Sequence, residues 1–359
     1  MQRAGQLINF ANITTRSSTN RHRLFREGFF SQHLAQPIGD NMARESIPTI
    51  DLREYTHGDE ASKAALVSQM GEALEDIGFF ALTGHGIPLG EIDAAYSISE
   101  DFFGRDEETK MRSNQQGNQR GYVPFGVEHA KDNPAPDLKE FWQTGRTLPD
   151  GHPLKEEYAL NIWPDEDCAE FGPIIDGLYI QMESLSRTLL EICSIYLGKG
   201  PDWLPNMAVD GNTILRVLHY PALGADVAEG AVRSAQHEDI NFITLLVGAT
   251  ANGLEVMDHD GEWIKVQGNH QHIIVDSGDM LQNLTNGLFK AVTHRVINPP
   301  DATSDRYSMP LFTHPRDEVD LTPRPEFVER TGGVANFPSI NAGDYLHQRL
   351  VEIGLIDDD

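Results

Sequence analysis

The sequence predicts a mainly β protein with packed helices, in which a jelly-roll core comes after an N-terminal α/β region. Three features point that way. Between residues 213 and 312, eight short β-type runs alternate with turn signals, the texture of a sandwich or barrel. Upstream, stretches of helical period alternate with apolar strand-like runs. The chain of 359 residues is 39% apolar and carries 16 Phe, enough for a sizeable core, and no long linker divides the folded body.

Taken in order, residues 1–45 differ in composition from the rest of the chain. Arg3, Arg16, Arg21, Arg23 and Arg26 face one acid, Glu27, before Gly39. Such a start resembles an organellar transit peptide. The absence of an apolar stripe favours instead an extension outside the fold, with the working chain beginning near Met42. Residues 46–205 then read as an N-terminal helical region. Ile47-Pro48-Thr49-Ile50-Asp51-Leu52 suits a strand, and Leu66, Met70, Ala73, Leu74 and Ile77 predict a helix over Ser62–Ile77 that stops at Gly78. Phe79–Thr83 reads as a strand, with a turn after it over Gly84–Pro88. His85 lies between two glycines with no partner at ligand spacing, so a structural, hydrogen-bonded role is expected. A second helix is expected around Ile92–Phe103. Arg120–Gly126 is rich in turn residues and reads as a loop, either walling a pocket or serving as a connector. Leu178, Met182, Leu185, Leu189, Ile192 and Leu197 mark a long helix over Ile174–Leu197, ended by Gly198 and Gly200, that backs a sheet.

The β core is expected over residues 206–320. Its runs are Thr213–Tyr220, Phe242–Val247, Leu254–Met257, Trp263–Val266, Ile273–Asp276, Met280–Leu284, Ala291–Ile297 and Arg306–Phe312. The tail, 321–359, returns to a helical period at Tyr345, Leu346, Leu350 and Ile353.

Charge and cysteine usage narrow the function. With 28 Lys+Arg against 55 Asp+Glu the formal net charge is −27, a field that repels nucleic acid and anionic lipid. Neither is an expected partner. Cys168 and Cys193 stand alone, so no disulfide framework or zinc knuckle is indicated. No apolar run reaches membrane-spanning length. The expected setting is the cytoplasm and the expected partner a small molecule. No glycine-rich stretch matches a phosphate-binding loop or a dinucleotide fingerprint.

The candidate chemistry lies between Gln236 and Phe312. His237 and Asp239 are two residues apart at the start of a β-run, so on a strand both side chains would face one point. His294 arrives from a later run. Two imidazoles and a carboxylate form the facial triad of non-haem Fe(II) oxygenases, with open positions opposite. With 14 His in the chain a His-x-Asp is unremarkable alone, as His270-x-His272 shows. The conjunction matters more. Arg306 and Ser308 come later at strand spacing, offering a guanidinium fork and a hydroxyl to a carboxylate. An α-keto acid fits both parts: its keto-carboxylate would chelate the metal while its far carboxylate meets Arg306. Phe125 and Phe312 are candidate substrate contacts, or else wall and core packing.

Over residues 46–355 the sequence resembles the Fe(II)/2-oxoglutarate-dependent dioxygenases of the isopenicillin N synthase-like superfamily. The resemblance is carried by Ile47–Leu52, Gly78-Phe79-Phe80 through His85-Gly86-Ile87-Pro88, Arg120–Pro124, Lys139-Glu140-Phe141, His237-x-Asp239, Gly278-Asp279 through Asn286-Gly287, His294-Arg295-Val296 and Arg306-x-Ser308. It implies a double-stranded β-helix core with an N-terminal helical region packed on it. It implies His237, Asp239 and His294 as iron ligands, and Arg306, Ser308 and Tyr220 on the 2-oxoglutarate carboxylate. Many plant members have asparagine two residues before that tyrosine, where this chain has Leu218. The implied reaction consumes O2 and 2-oxoglutarate, releases succinate and CO2, and oxidises a small molecule, with hydroxylation as the default. Three other chemistries share these residues. One is an isopenicillin N synthase-like oxidase that uses no 2-oxoglutarate, and another a 2-oxoglutarate-fragmenting, ethylene-forming type. The third, from another class, is a cupin-like metal hydrolase or isomerase. A non-catalytic binding module would be expected to have lost a ligand first.

Overall fold

A computed structural model describes residues 46–115, 120–127, 137–156, 158–223, 232–267, 271–298 and 304–352. The expectation for 1–45 lies outside them.

The first half of the described chain runs β1 (Thr49–Asp51), α1 (Arg53–Thr56), α2 (Glu60–Asp76), β2 (Phe79–Thr83), α3 (Leu89–Phe103), α4 (Glu107–Met111), β3 (Gly121–Val123), β4 (Glu140–Gly145), α5 (Phe171–Tyr196) and α6 (Pro205–Ala208). The second runs β5 (Ile214–Tyr220), β6 (Ser234–His237), β7 (Ile243–Val247), β8 (Leu254–Met257), β9 (Trp263–Lys265), β10 (Ile273–Ser277), α7 (Asp279–Leu284), β11 (His294–Val296), β12 (Arg306–Thr313), α8 (Pro325–Arg330) and α9 (Ala342–Glu352). The helices at α2, α3, α5 and α9 stand where the apolar period placed them. Asp59 opens α2 by accepting a hydrogen bond from the Ser62 amide, which satisfies one of the donors a helix start leaves free.

Two sheets form. The larger has the order β1-β2-β10-β7-β12-β5-β4-β3, the smaller β6-β11-β8-β9. Strand alternation gives the large sheet two apolar faces. Phe80, Leu82, Leu215, Val217, Leu245, Val247, Ile273, Val275, Met309 and Leu311 pack in one cluster with α2, α3 and α5. Their neighbours Phe79, Ala81 and Ile274 turn the other way and pack with Val256, Ile264 and Val296 of the small sheet. Val123, Phe141, Leu218 and Tyr220 form a third cluster. This is the helix-backed jelly roll read from the sequence. β1 to β4, all from the 46–205 stretch, lie in the same sheet as β5, β7, β10 and β12.

Three local expectations are corrected. Met280–Leu284 is not a strand but the body of α7. It comes directly after β10, and the amides of Gly278 and Met280 bond the carbonyls of Phe242 and Asn241, which starts a helix rather than a ladder. Within the expected loop Arg120–Gly126, residues Gly121–Val123 form β3, paired with β4 at the sheet edge. Gly121 holds φ of +79°, a conformation that glycine adopts without strain. Finally, His237 and Asp239 do not begin one strand. His237 ends β6 in the small sheet, whereas Asp239 lies where the chain crosses toward β7 in the large one.

Candidate metal centre

The site sits at that crossover. β6 and β11 pair antiparallel with His237 directly opposite His294, so the two imidazoles share one face of the small sheet. Their ring centroids lie 4.4 Å apart. Asp239 enters from the crossover, with Oδ1 3.7 Å from Nε2 of each histidine. One ligand atom from each of the three lies within 4.8 Å of the others. Among the described residues this is the one group of three or more His, Cys, Asp or Glu so arranged.

Surrounding hydrogen bonds aim these atoms inward. The Nδ1–H of His237 donates to the carbonyl of Ala235 at 2.8 Å, and that of His294 to Val292 at 3.1 Å. Each bond fixes the tautomer that leaves Nε2 with a free lone pair. Asp239 divides its oxygens: Oδ2 accepts the Thr244 hydroxyl, itself held by Asn241 Nδ2 at 2.8 Å, and Oδ1 faces the imidazoles. The backbone around Asp239 is pinned too, because the Asp279 amide at the start of α7 bonds its carbonyl at 2.7 Å. Burial, and then the charge of His237, push the pKa of His294 down to about 4, so it stands neutral and ready to ligate. Asp276, wholly buried, has its pKa raised by desolvation and next by Asp239. A divalent cation would offset this crowding of carboxylates. Two imidazoles with Nε2 directed inward and a carboxylate with one committed oxygen are a donor set that fits Fe(II).

Across the interior, the large sheet carries the polar set. Arg306 is in register with Tyr220, and Ser308 with Leu218, on paired β12 and β5. All but Leu218 are at most 2% exposed. The Arg306 guanidinium lies over the Tyr220 ring at 4.8 Å, with Nη1 donating to Ser308 Oγ at 3.2 Å and Nε to the Ala251 carbonyl at 3.2 Å. A fork held this rigidly is suited to a carboxylate. Leu218 packs with Val123, Phe141 and Tyr220, so the wall there is apolar.

The two candidate substrate contacts separate. Phe312 faces the same way as Arg306 and Ser308 and is in register with Thr244, the hydroxyl partner of Asp239. Phe125 is 48% exposed in the turn after β3, and among the described residues no ring contact involves it. His85 accepts the Ile87 amide at Nδ1, the structural role expected of it.

Three residues escaped the sequence reading. Thr244 carries no motif. Arg216 alternates with Leu218 and Tyr220, a signal that could have found it. Its guanidinium stacks over Phe141 at 4.6 Å and Phe312 at 5.7 Å, with Nε donating to Gln143 at 2.7 Å. Arg233, 1% exposed, precedes β6 and had no spacing partner.

Comparison with known proteins agrees with this geometry. Residues 47–166 match the family described as the non-haem dioxygenase in morphine synthesis N-terminal domain, and residues 211–315 match the 2OG-Fe(II) oxygenase superfamily. A 2-oxoglutarate-dependent dioxygenase of Didymella fabae is 32% identical, covering 74% of this chain and 84% of its own. The chain is a 2-oxoglutarate–Fe(II) oxygenase of the isopenicillin N synthase-like superfamily. The oxygenase therefore uses Fe(II), 2-oxoglutarate and O2, and the hydrolase reading is set aside. Among solved structures, a 2OG-Fe(II) oxygenase family protein of Caulobacter crescentus is 35% identical. It covers 86% of the oxygenase and 99% of itself with a TM-score of 0.76. A full-length Neurospora crassa protein, solved in complex with alpha-KG and thymine, is 28% identical, covers 85% and 96%, and has a TM-score of 0.75.

Proposed function

We propose that His237, Asp239 and His294 hold the Fe(II), and that Arg306, Ser308 and Tyr220 hold the distal carboxylate of 2-oxoglutarate. The observation that carries this reading is the convergence of the three candidate ligand atoms within 4.8 Å, together with a buried Arg306–Ser308–Tyr220 set on paired strands of the large sheet. When bound, Fe(II) with 2-oxoglutarate and O2 supplies the oxidising power and yields succinate and CO2. What the chain contributes is positioning. His237, Asp239 and His294 would hold the ion through Nε2, Oδ1 and Nε2, and three protein ligands would leave coordination positions for the co-substrate and O2. Arg306 and Ser308 set the depth at which the 2-oxo acid sits, and the apolar wall at Leu218 and Phe141 limits water.

The primary substrate is a small molecule, and hydroxylation is its proposed fate. Phe312, beside the Asp239–Thr244 pair, and Arg216, stacked on it, are the proposed contacts. The thymine complex of the Neurospora crassa relative supports a small substrate for this fold. Nucleic acid and membranes are not proposed partners. The formal net charge of −27 supports the first, and among the described residues no helix is long and apolar enough to cross a membrane. Two free, buried thiols support a reducing setting such as the cytoplasm.

The test is an anaerobic titration of the metal-free protein with Fe(II) and then 2-oxoglutarate, tracking the visible charge-transfer band of a chelated 2-oxo acid. Wild type is expected to give the band, Arg306→Ala to weaken it sharply and His237→Ala to abolish it. A wild-type protein that binds Fe(II) stoichiometrically yet gives no band would overturn the assignment of these residues. Succinate release across a panel of small molecules then identifies the substrate.

A further inference from the structure

Arg306 is not the only buried guanidinium at the deep end of the interior. Arg233, 1% exposed, donates from Nη2 to the carbonyl of Ser304 at 3.0 Å, two residues before Arg306. Its backbone amide is fixed by Asn298 Oδ1 at 2.9 Å, so the side chain leaves from a held position. Its Nε is buried with no hydrogen-bond partner among the described residues.

Neither Arg233 nor Arg306 has a carboxylate partner among the described residues. Asp305, the acid closest in sequence, is committed elsewhere: one oxygen accepts the Ala222 amide at 2.7 Å and the other lies 3.2 Å from His219 Nε2. Two guanidiniums buried together without an anion are costly, because each loses hydration and each repels the other. In keeping with this, burial first and then the charge of Arg306 hold Arg233 below the usual arginine pKa, with Tyr220 and Asp305 acting in the opposite sense. Two buried cations that no carboxylate of the described residues pairs leave room for an anion from outside.

We propose that Arg233 is a second cation of the pocket for the distal carboxylate of the 2-oxo acid, acting beside Arg306 and strengthening selection of dicarboxylic over monocarboxylic 2-oxo acids. This rests on the assignment of Arg306 to that carboxylate. Arg306 supplies the geometry through its contacts with Ser308 and Tyr220. Arg233 supplies a further charge and a donor, Nε, that no group of the described residues uses.

The experiment compares 2-oxoglutarate with 2-oxobutyrate, which keeps the chelating end and lacks the distal carboxylate. Both are titrated anaerobically into the Fe(II)-loaded full chain, and the dissociation constants are read from the charge-transfer band. Arg233→Gln keeps a donor for the Ser304 carbonyl and removes the charge. It is expected to weaken 2-oxoglutarate about 10- to 50-fold, the scale of a charge-assisted hydrogen bond, and to leave 2-oxobutyrate within about 3-fold. Arg233→Lys keeps the charge and is expected to stay within about 5-fold of wild type for 2-oxoglutarate. Equal weakening of both ligands by Arg233→Gln would mark a merely structural residue, and no weakening would mark a bystander; either overturns the proposal. If the Gln variant does not fold, Arg233→Met, which keeps an unbranched stem and removes the charge, takes its place: equal weakening of both acids, or weakening of neither, overturns the proposal in the same way. A wild type that gives no band with either acid counts against the assignment of the parent site, an outcome distinct from failure of Arg233.

Discussion

Asp239 has two oxygens with separate tasks, and one hydroxyl keeps them separate. The Thr244 side chain donates to Oδ2, so the carboxylate presents Oδ1 to the imidazoles in a fixed plane. Without that donor the carboxylate can rotate, and its second oxygen is left buried and unsatisfied. Thr244→Val preserves the shape and removes the bond. The expected outcome is a loss of about 10-fold in Fe(II) affinity, with the fold retained, as measured by anaerobic competition with a chelator. Thr244→Ser should restore most of the affinity, and equal affinity in Val and Thr forms would show that the hydroxyl does not orient the ligand. At this scale the sequence pointed to candidate ligands but not to their supports. A His-x-Asp and a later His have recognisable spacing, whereas Thr244 acquires its role only when β7 lies beside the crossover.

The element that holds Asp239 beside the two histidines is the junction of β10 and α7. Gly278 caps α7 and lies so close to the crossover that an added Cβ would run into Asn241 Oδ1 and stand 2.5 Å from the Asn241 carbonyl oxygen and 2.8 Å from its amide nitrogen. Backbone cannot yield as a flexible side chain can, so Gly278→Ala must displace the segment that carries Asp239. A loss of about 2–4 kcal/mol in unfolding free energy is expected, together with weaker Fe(II) binding. Gly90, early in α3, has nothing within 4 Å of its Cβ position. Gly90→Ala should be neutral to about 0.5 kcal/mol stabilising. Urea denaturation of the two variants checks the contrast, and equal stability would show that the junction has slack. The same junction explains why Met280–Leu284 misleads as a sequence. Five residues of mostly apolar character fit a buried strand or one and a half helical turns equally well, and only the hydrogen bonds of Gly278 and Met280 to the crossover choose. Ser234–His237 misleads in the opposite sense, since Ser-Ala-Gln-His has few strand formers and pairs because β11 lies beside it.

For the molecule as a whole, the succession of short β-type runs and turns made the jelly roll legible, and the apolar period made α2, α3 and α5 legible. The strand order was not, because β2 pairs with β10 and β12 with β7 across long stretches of chain, and no local pattern records such partners. Closing two sheets over a polar interior has a consequence for the response to acid. Burial holds His294 and His314 near pKa 4, whereas in the unfolded chain a histidine titrates near 6.5. Between those values the unfolded chain binds more protons, so each histidine costs stability as the pH falls through 6.5 toward 4 and costs nothing well above 7. Asp276 and Asp279 act in the opposite sense, because burial raises their folded pKa values, that of Asp279 to about 6, and the folded state then takes up the proton. The total slope mixes both signs, so the histidine share has to be isolated by substitution. His314 suits this because it lies outside the triad and its Nδ1 bonds only the Phe312 carbonyl among the described residues. His314→Asn can keep that bond and cannot titrate. Between pH 7.5 and 5.5 the metal-free wild type should lose about 1 kcal/mol more stability than the variant, as read from urea midpoints at the two pH values. Identical pH dependence in the two proteins would mean that His314 is as readily protonated in the fold as outside it, and that the interior between the sheets admits water.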